Sequence, residues 1–149
     1  MRRSLGGLLL LALVAGVGLA ACGGDESSEE KAKEEAASGE ITCEGSALSG
    51  DTGLPGTFPK PDGVTYVKSE QSGPTRVVNA YYEGDLEGAY DAYKSAFDSA
   101  GYDIPFDEKE EDDAEVSYED SGSKTTGLVA LKAECDNDRI SVRITSRAE

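Results

Sequence analysis

Asp85-Leu86-Glu87-Gly88-Ala89-Tyr90-Asp91-Ala92-Tyr93-Lys94-Ser95-Ala96-Phe97-Asp98-Ser99-Ala100-Gly101 is the stretch from which the fold can be read. Leu86, Ala89, Tyr90, Tyr93, Ala96, Phe97 and Ala100 recur at steps of three and four, and Glu87, Asp91, Lys94 and Asp98 take the opposite side. Asp85 is a good N-cap, Gly101 is a good residue for the left-handed position past the C-terminus, and Tyr102 is placed to close over the last turn. The spacing predicts one amphipathic helix, and its apolar side needs something to lie on.

The segments on either side supply it. Upstream, Val64 to Glu70 and Thr75 to Glu83 read as strands joined by a turn at Gln71-Ser72-Gly73-Pro74, with Val77, Val78, Tyr81 and Tyr82 favoured on a pleated surface. Downstream, Ala114 to Asp120, Lys124 to Glu134 and Arg139 to Ser146 have strand character. The turns between them are Ser121-Gly122-Ser123 and Asp136-Asn137-Asp138. Ile140, Val142 and Ile144 alternate with Ser141, Arg143 and Thr145, so one face of this strand is buried and the other polar. Val129, Leu131 and Ala133 form the matching inward set and put Cys135 on the same parity.

Tyr102 to Phe106 reads as a short strand with Pro105 at an edge or break, and the acidic run that follows reads as a loop. Leu54-Pro55-Gly56-Thr57-Phe58-Pro59-Lys60-Pro61-Asp62-Gly63 is too rich in Pro and Gly for a helix or central strand. It is expected to run extended across the domain, anchored by Leu54 and Phe58, into a turn at Pro61-Asp62-Gly63. The expectation is therefore an α+β domain over 41–149: one antiparallel sheet of five or six strands, with a single amphipathic helix packed on one face in a ββαβββ-like order.

Ahead of that domain, cationic Met1-Arg2-Arg3, an apolar run from Leu5 to Leu19 and small residues ending in a cysteine follow the order of a secretory signal. Leu19-Ala20-Ala21-Cys22 resembles the lipobox of bacterial lipoproteins. The resemblance implies a diacylglyceryl group on the Cys22 thiol, removal of residues 1–21, and a lipid-anchored protein on the extracytoplasmic side of the cell membrane. An uncleaved span is the competing reading, but it needs about 20 apolar residues, and this shorter run carries Gly6, Gly7, Gly16 and Gly18. The Arg2-Arg3 pair is explained by ordinary secretion, since Met1 stands where twin-arginine signals carry a polar residue. Residues 22–40, with their Glu, Lys and Ala and no apolar face, read as an acidic tether.

Losing Arg2 and Arg3 from 14 basic residues leaves 12 against 30 acidic ones, a net charge of −18. Such a surface repels nucleic acid and anionic lipid, so the lipid alone is expected to touch the membrane. With Cys22 acylated, Cys43 and Cys135 remain in an oxidising space. Pairing them closes a loop of about 90 residues, which chain entropy credits with roughly 4 to 5 kcal/mol at most. The pair reads as a structural staple; a redox role lacks the C-x-x-C spacing.

Candidate chemistry is sparse. The chain has no histidine, hence neither the commonest general base nor the commonest zinc ligand. It has no phosphate-binding or dinucleotide-binding glycine motif and no EF-hand loop. No catalytic residue and no cofactor is assigned. Asp107, Glu108, Asp112 and Asp113, in the most charged run, are weak Ca²⁺ candidates set against a solvated loop. The sheet face away from the helix is expected to show Val77, Asn79 and Tyr81, then Leu128, Ala130 and Lys132, then Ser141, Arg143 and Thr145.

Tyr81, Lys132 and Arg143 on that face are the candidate contacts for an envelope protein or wall polymer. The alternative is that the two cations pair with nearby Glu side chains. From Phe58-Pro59 through the helix to the hairpins, residues 54 to 146 also resemble a loose group of small actinobacterial lipoproteins of unknown function, which implies no activity. The leading expectation is a lipid-anchored, non-catalytic binding module; an acidic cation-binding or sensing lipoprotein is the second, and an enzyme the third.

Overall fold

A computed structural model describes residues 39–148; the expected leader, Cys22 and all of the expected tether before Gly39 lie outside the described residues. The elements run β1 (Val64–Ser72), β2 (Thr75–Glu83), α1 (Leu86–Ala100), β3 (Asp107–Lys109), β4 (Asp113–Asp120), β5 (Thr125–Lys132) and β6 (Arg139–Ala148). They form one six-stranded antiparallel sheet in the order β1-β2-β6-β5-β4-β3, with α1 across one face, so the fold is α+β.

The helix ends where the sequence says it should. The Asp85 carboxylate accepts from the Gly88 N–H at 2.7 Å, and Gly101 takes φ 77°. The Gly101 and Tyr102 N–H groups return to the Asp98 and Phe97 carbonyls, which closes a Schellman motif. Leu86, Ala89, Tyr93 and Phe97 are buried against Val78, Ala80, Val116, Val129, Leu131, Ile140, Val142 and Ile144. Each large side chain in this set contributes about 1.5 to 3 kcal/mol by leaving water.

Leu54 and Phe58 pack against the same core, as their role as anchors requires. Phe58 meets Phe97 edge-on at 5.6 Å, and Phe97 stacks on Tyr118 at 4.9 Å and on Tyr102 at 5.5 Å. Four pieces of chain are thus joined through one aromatic cluster in the offset and edge-to-face geometries that the ring quadrupole favours. The turn at residues 61–63 closes with the Val64 N–H on the Pro61 carbonyl.

Three expectations are corrected: the strand at Tyr102 to Phe106, the loop over the acidic run, and the inward place of Ala133. Tyr102 to Phe106 is not a strand: Tyr102 is core, and only Asp103 forms a bridge, to Glu119. The sixth strand lies instead in the acidic run, as β3. Pro105 brings no N–H to a ladder, and a very short, charged edge strand is a common way of keeping a sheet from pairing with another chain. Ala133 is exposed because β5 ends at Lys132. A feature with no counterpart among the expectations is a bulge in β1 between Tyr66 and Lys68. The register then pairs Lys68 with Asn79 and Glu70 with Val77, which turns both charged side chains to the face away from the helix.

Two substitutions test the packing. Tyr118 lies across Gly127, and its hydroxyl donates to the Thr145 carbonyl at 2.9 Å. A Cβ at Gly127 would collide with that carbonyl and with the tyrosine ring. Gly127→Ala is expected to cost about 1 to 3 kcal/mol in urea unfolding. By contrast, the Tyr93 hydroxyl is buried with no hydrogen-bond partner among the described residues, and burial pushes its pKa well above the ordinary phenol range. Tyr93→Phe is therefore expected to leave stability unchanged or raise it by about 1 kcal/mol in the same measurement.

Candidate functional site

On the face away from α1, strand register sets side chains in rows. One row runs Lys68, Asn79, Arg143, Ala130, Glu115 and Glu108 from β1 to β3; the next runs Tyr81, Ser141, Lys132 and Asp113 from β2 to β4. The face predicted to carry Tyr81, Lys132 and Arg143 is thus the one on which they stand. The structure does not leave its centre open, however. Residues 39–43 cross it, with the Thr42 N–H donating to Ser141 Oγ at 2.8 Å and Arg139 Nη1 donating to the Cys43 carbonyl at 3.1 Å.

Cys43 is bonded to Cys135 in the turn between β5 and β6, with Cα atoms 5.5 Å apart. The disulfide fixes the crossing segment at one end of the sheet. At the far end of the crossing, Gly39 lies so close to the Arg143 side chain that a Cβ there would collide with the guanidinium stem. Gly39, Glu40 and Ile41 form one wall of a shallow cleft, and Ala130, Lys132, Ser141 and Arg143 form the other.

The three candidate partner residues part company here. Tyr81 is 8 % exposed and lies under the Arg139 guanidinium, 4.3 Å from the ring centroid, so its role is packing. Lys132 reaches Glu134 only at 3.8 Å. Arg143 donates to Asn79 Oδ1 at 3.4 Å, and its buried Nε has no hydrogen-bond partner among the described residues. Among the described residues no carboxylate comes within ion-pair distance of Arg143, nor of Arg76, whereas Lys68, Lys94, Lys109, Lys132 and Arg139 are each matched by one. Lys68 also belongs to this face: the Glu70 hydrogen bond raises its pKa most, and Glu40 adds to the shift.

Sequence reasoning found the two central cations. It missed Ser141 as an anchor for the crossing segment, and it missed Lys68, which only the bulge brings round.

The acidic run is dispersed by its own secondary structure. Asp107 is turned to the helix side, where Lys94 Nζ donates to its carboxylate at 2.7 Å and the Tyr90 hydroxyl donates to the same oxygen. Glu108 falls on the opposite face by alternation. Asp112 and Asp113 use their backbone carbonyls to accept from Ala133 and Glu110. Among the described residues no three acidic, Cys or His side chains gather as a metal site.

Lys94, Tyr90 and Asp107, with Lys109 bridged to Glu87 at 2.9 Å, clamp the three-residue β3 to the helix. No helix among the described residues is long and apolar enough to cross a membrane. Comparison with protein-family models, with curated proteins and with solved structures finds no match to the chain.

The clamp has a pH signature. The Lys94 hydrogen bond, then that of Tyr90, holds the Asp107 carboxyl below its ordinary value of 3.8. Its stabilisation is complete above that ordinary value and is lost as pH falls through the depressed folded one. Both side chains are about a third exposed, so solvent screening limits the pair to roughly 1 kcal/mol or less. Asp107→Asn is expected to show that loss in urea unfolding at neutral pH, and the difference from wild type is expected to shrink as pH is lowered through the depressed folded value.

Proposed function

We propose that this chain is the precursor of a lipid-anchored protein on the extracytoplasmic side of the cell membrane. Its folded domain is a binding module without catalysis, facing an envelope partner such as a protein or wall polymer. The observation that carries the reading is the Cys43–Cys135 disulfide, a bond that persists in oxidising compartments and is rare in reducing ones. It agrees with an N-terminal segment that ends in Leu19-Ala20-Ala21-Cys22, where the lipobox resemblance puts cleavage and acylation.

The remaining features fit this assignment. A strongly acidic domain on a short acidic tether stays clear of anionic lipid, so contact with the bilayer falls to the acyl chains. A cation-binding role gains nothing from the acidic run, because Asp107 is already neutralised by Lys94 and the other acids diverge. Arg143, whose buried Nε has no hydrogen-bond partner among the described residues, lines the cleft together with Lys132, and binding is assigned there.

Phase separation in detergent tests the anchor. The protein expressed with its own leader is expected in the detergent phase, with a mass equal to residues 22–149 plus a diacylglyceryl modification. Cys22→Ser is expected in the aqueous phase. A Cys22→Ser protein that still enters the detergent phase, or a wild-type protein retaining residues 1–21, overturns the assignment.

A further inference from the structure

We propose that the cleft between residues 39–41 and strands β5 and β6 is a carboxylate-binding site, with Arg143 as the primary contact and Lys132 and Ser141 beside it. This deepens the binding-module reading and rests on it, but not on the lipid anchor.

The first observation is a guanidinium answered only in part, by Asn79 at Nη1. Arg143 sits on β6, an inner strand, and among the described residues its buried Nε has no acceptor and no carboxylate lies in ion-pair range. A buried donor left unpaired is costly, and a charged one more so. Arg76 shares an unpartnered buried Nε among the described residues, but Arg143 is the one that lines the cleft.

The second observation is the shape around it. Ala130, the cross-strand neighbour of Arg143, is small and buried and forms part of the cleft wall. Residues 39–41 roof one side, and they are held there by the Thr42–Ser141 hydrogen bond and the disulfide. Lys132 lies on the same strand as Ala130 two residues along, so its ammonium and the guanidinium flank one opening.

The charge of the ligand follows from the surroundings. A planar guanidinium fork matches a carboxylate bidentately. Two cations in the field of a strongly acidic protein suit a monoanion better than a doubly charged phosphate. Glu40, on the roof, further limits the charge the cleft will accept.

The carboxylate has two possible sources: a separate molecule, or Glu29, Glu30, Glu34 and Glu35 of the same chain, which continues from Gly39 at the cleft mouth. Sodium acetate titrated against sodium chloride at equal ionic strength, followed by NMR of the full chain, tells them apart. A separate ligand is expected to give saturable shifts of the Arg143 Nε–Hε resonance and of the Lys132 and Ser141 amides. Those shifts should be lost in Arg143→Gln and kept in Lys124→Gln, which lies in the β4–β5 turn.

If acetate has no effect but the Arg143 Hε resonance moves when Glu29, Glu30, Glu34 and Glu35 are all replaced by Gln, the site stands and the chain supplies its own carboxylate. If that resonance answers to neither change, the proposal is overturned. Both titrations read the wild-type Arg143, so they remain decisive even if Arg143→Gln does not fold. Failure of the lipid anchor would leave this result untouched, and failure here would leave the anchor untouched.

Discussion

The stacking of Phe97 on Tyr118 is the contact the rest of the domain depends on. Phe97 comes from the last turn of the helix and Tyr118 from β4, and the two rings lie 4.9 Å apart. Phe58 closes on both rings from the irregular segment ahead of the sheet, and Tyr102 closes from the chain that leaves the helix. Removing that centre would loosen the docking of the helix, the path of residues 54–63 and the exit toward β3 together. Gly127 belongs to the same arrangement, since only a residue without a Cβ lets the Tyr118 ring cross β5 and reach the Thr145 carbonyl.

The helix side of the sheet was open to reading in advance because its determinants are local. Asp85 and Gly101 mark the helix ends through their own backbone chemistry, and Ile140, Val142 and Ile144 announce a half-buried strand by period alone. Hydrophobic periodicity registers those features directly. The other side of the sheet was legible only in parity. Lys132 and Arg143 fall where alternation puts them, but the segment that crosses them has no period, and it is held by one backbone-to-hydroxyl bond, one guanidinium and a disulfide. Nothing in a window of neighbouring residues encodes partners that lie 92 to 99 positions away.

β3 was hidden for the opposite reason. Asp107-Glu108-Lys109 has the composition of a loop, and its pairing with β4 is sustained by Lys94 and Tyr90 on the helix rather than by strand propensity. The bulge at Val67 likewise leaves no mark in composition, yet it moves Lys68 and Glu70 from one side of the sheet to the other. A register change of one residue reverses every later side chain in the strand, and here it adds a third cation to the neighbourhood of Arg143.

The cross-link between Cys43 and Cys135 also decides how the domain meets mechanical load. Tension arriving through the residues before Gly39 enters the fold at Cys43 and passes through the sulfurs to the turn joining β5 and β6, the two innermost strands. The outer strand β1 is bypassed, so a tug from the amino end is shared across the middle of the sheet instead of unzipping it from its margin.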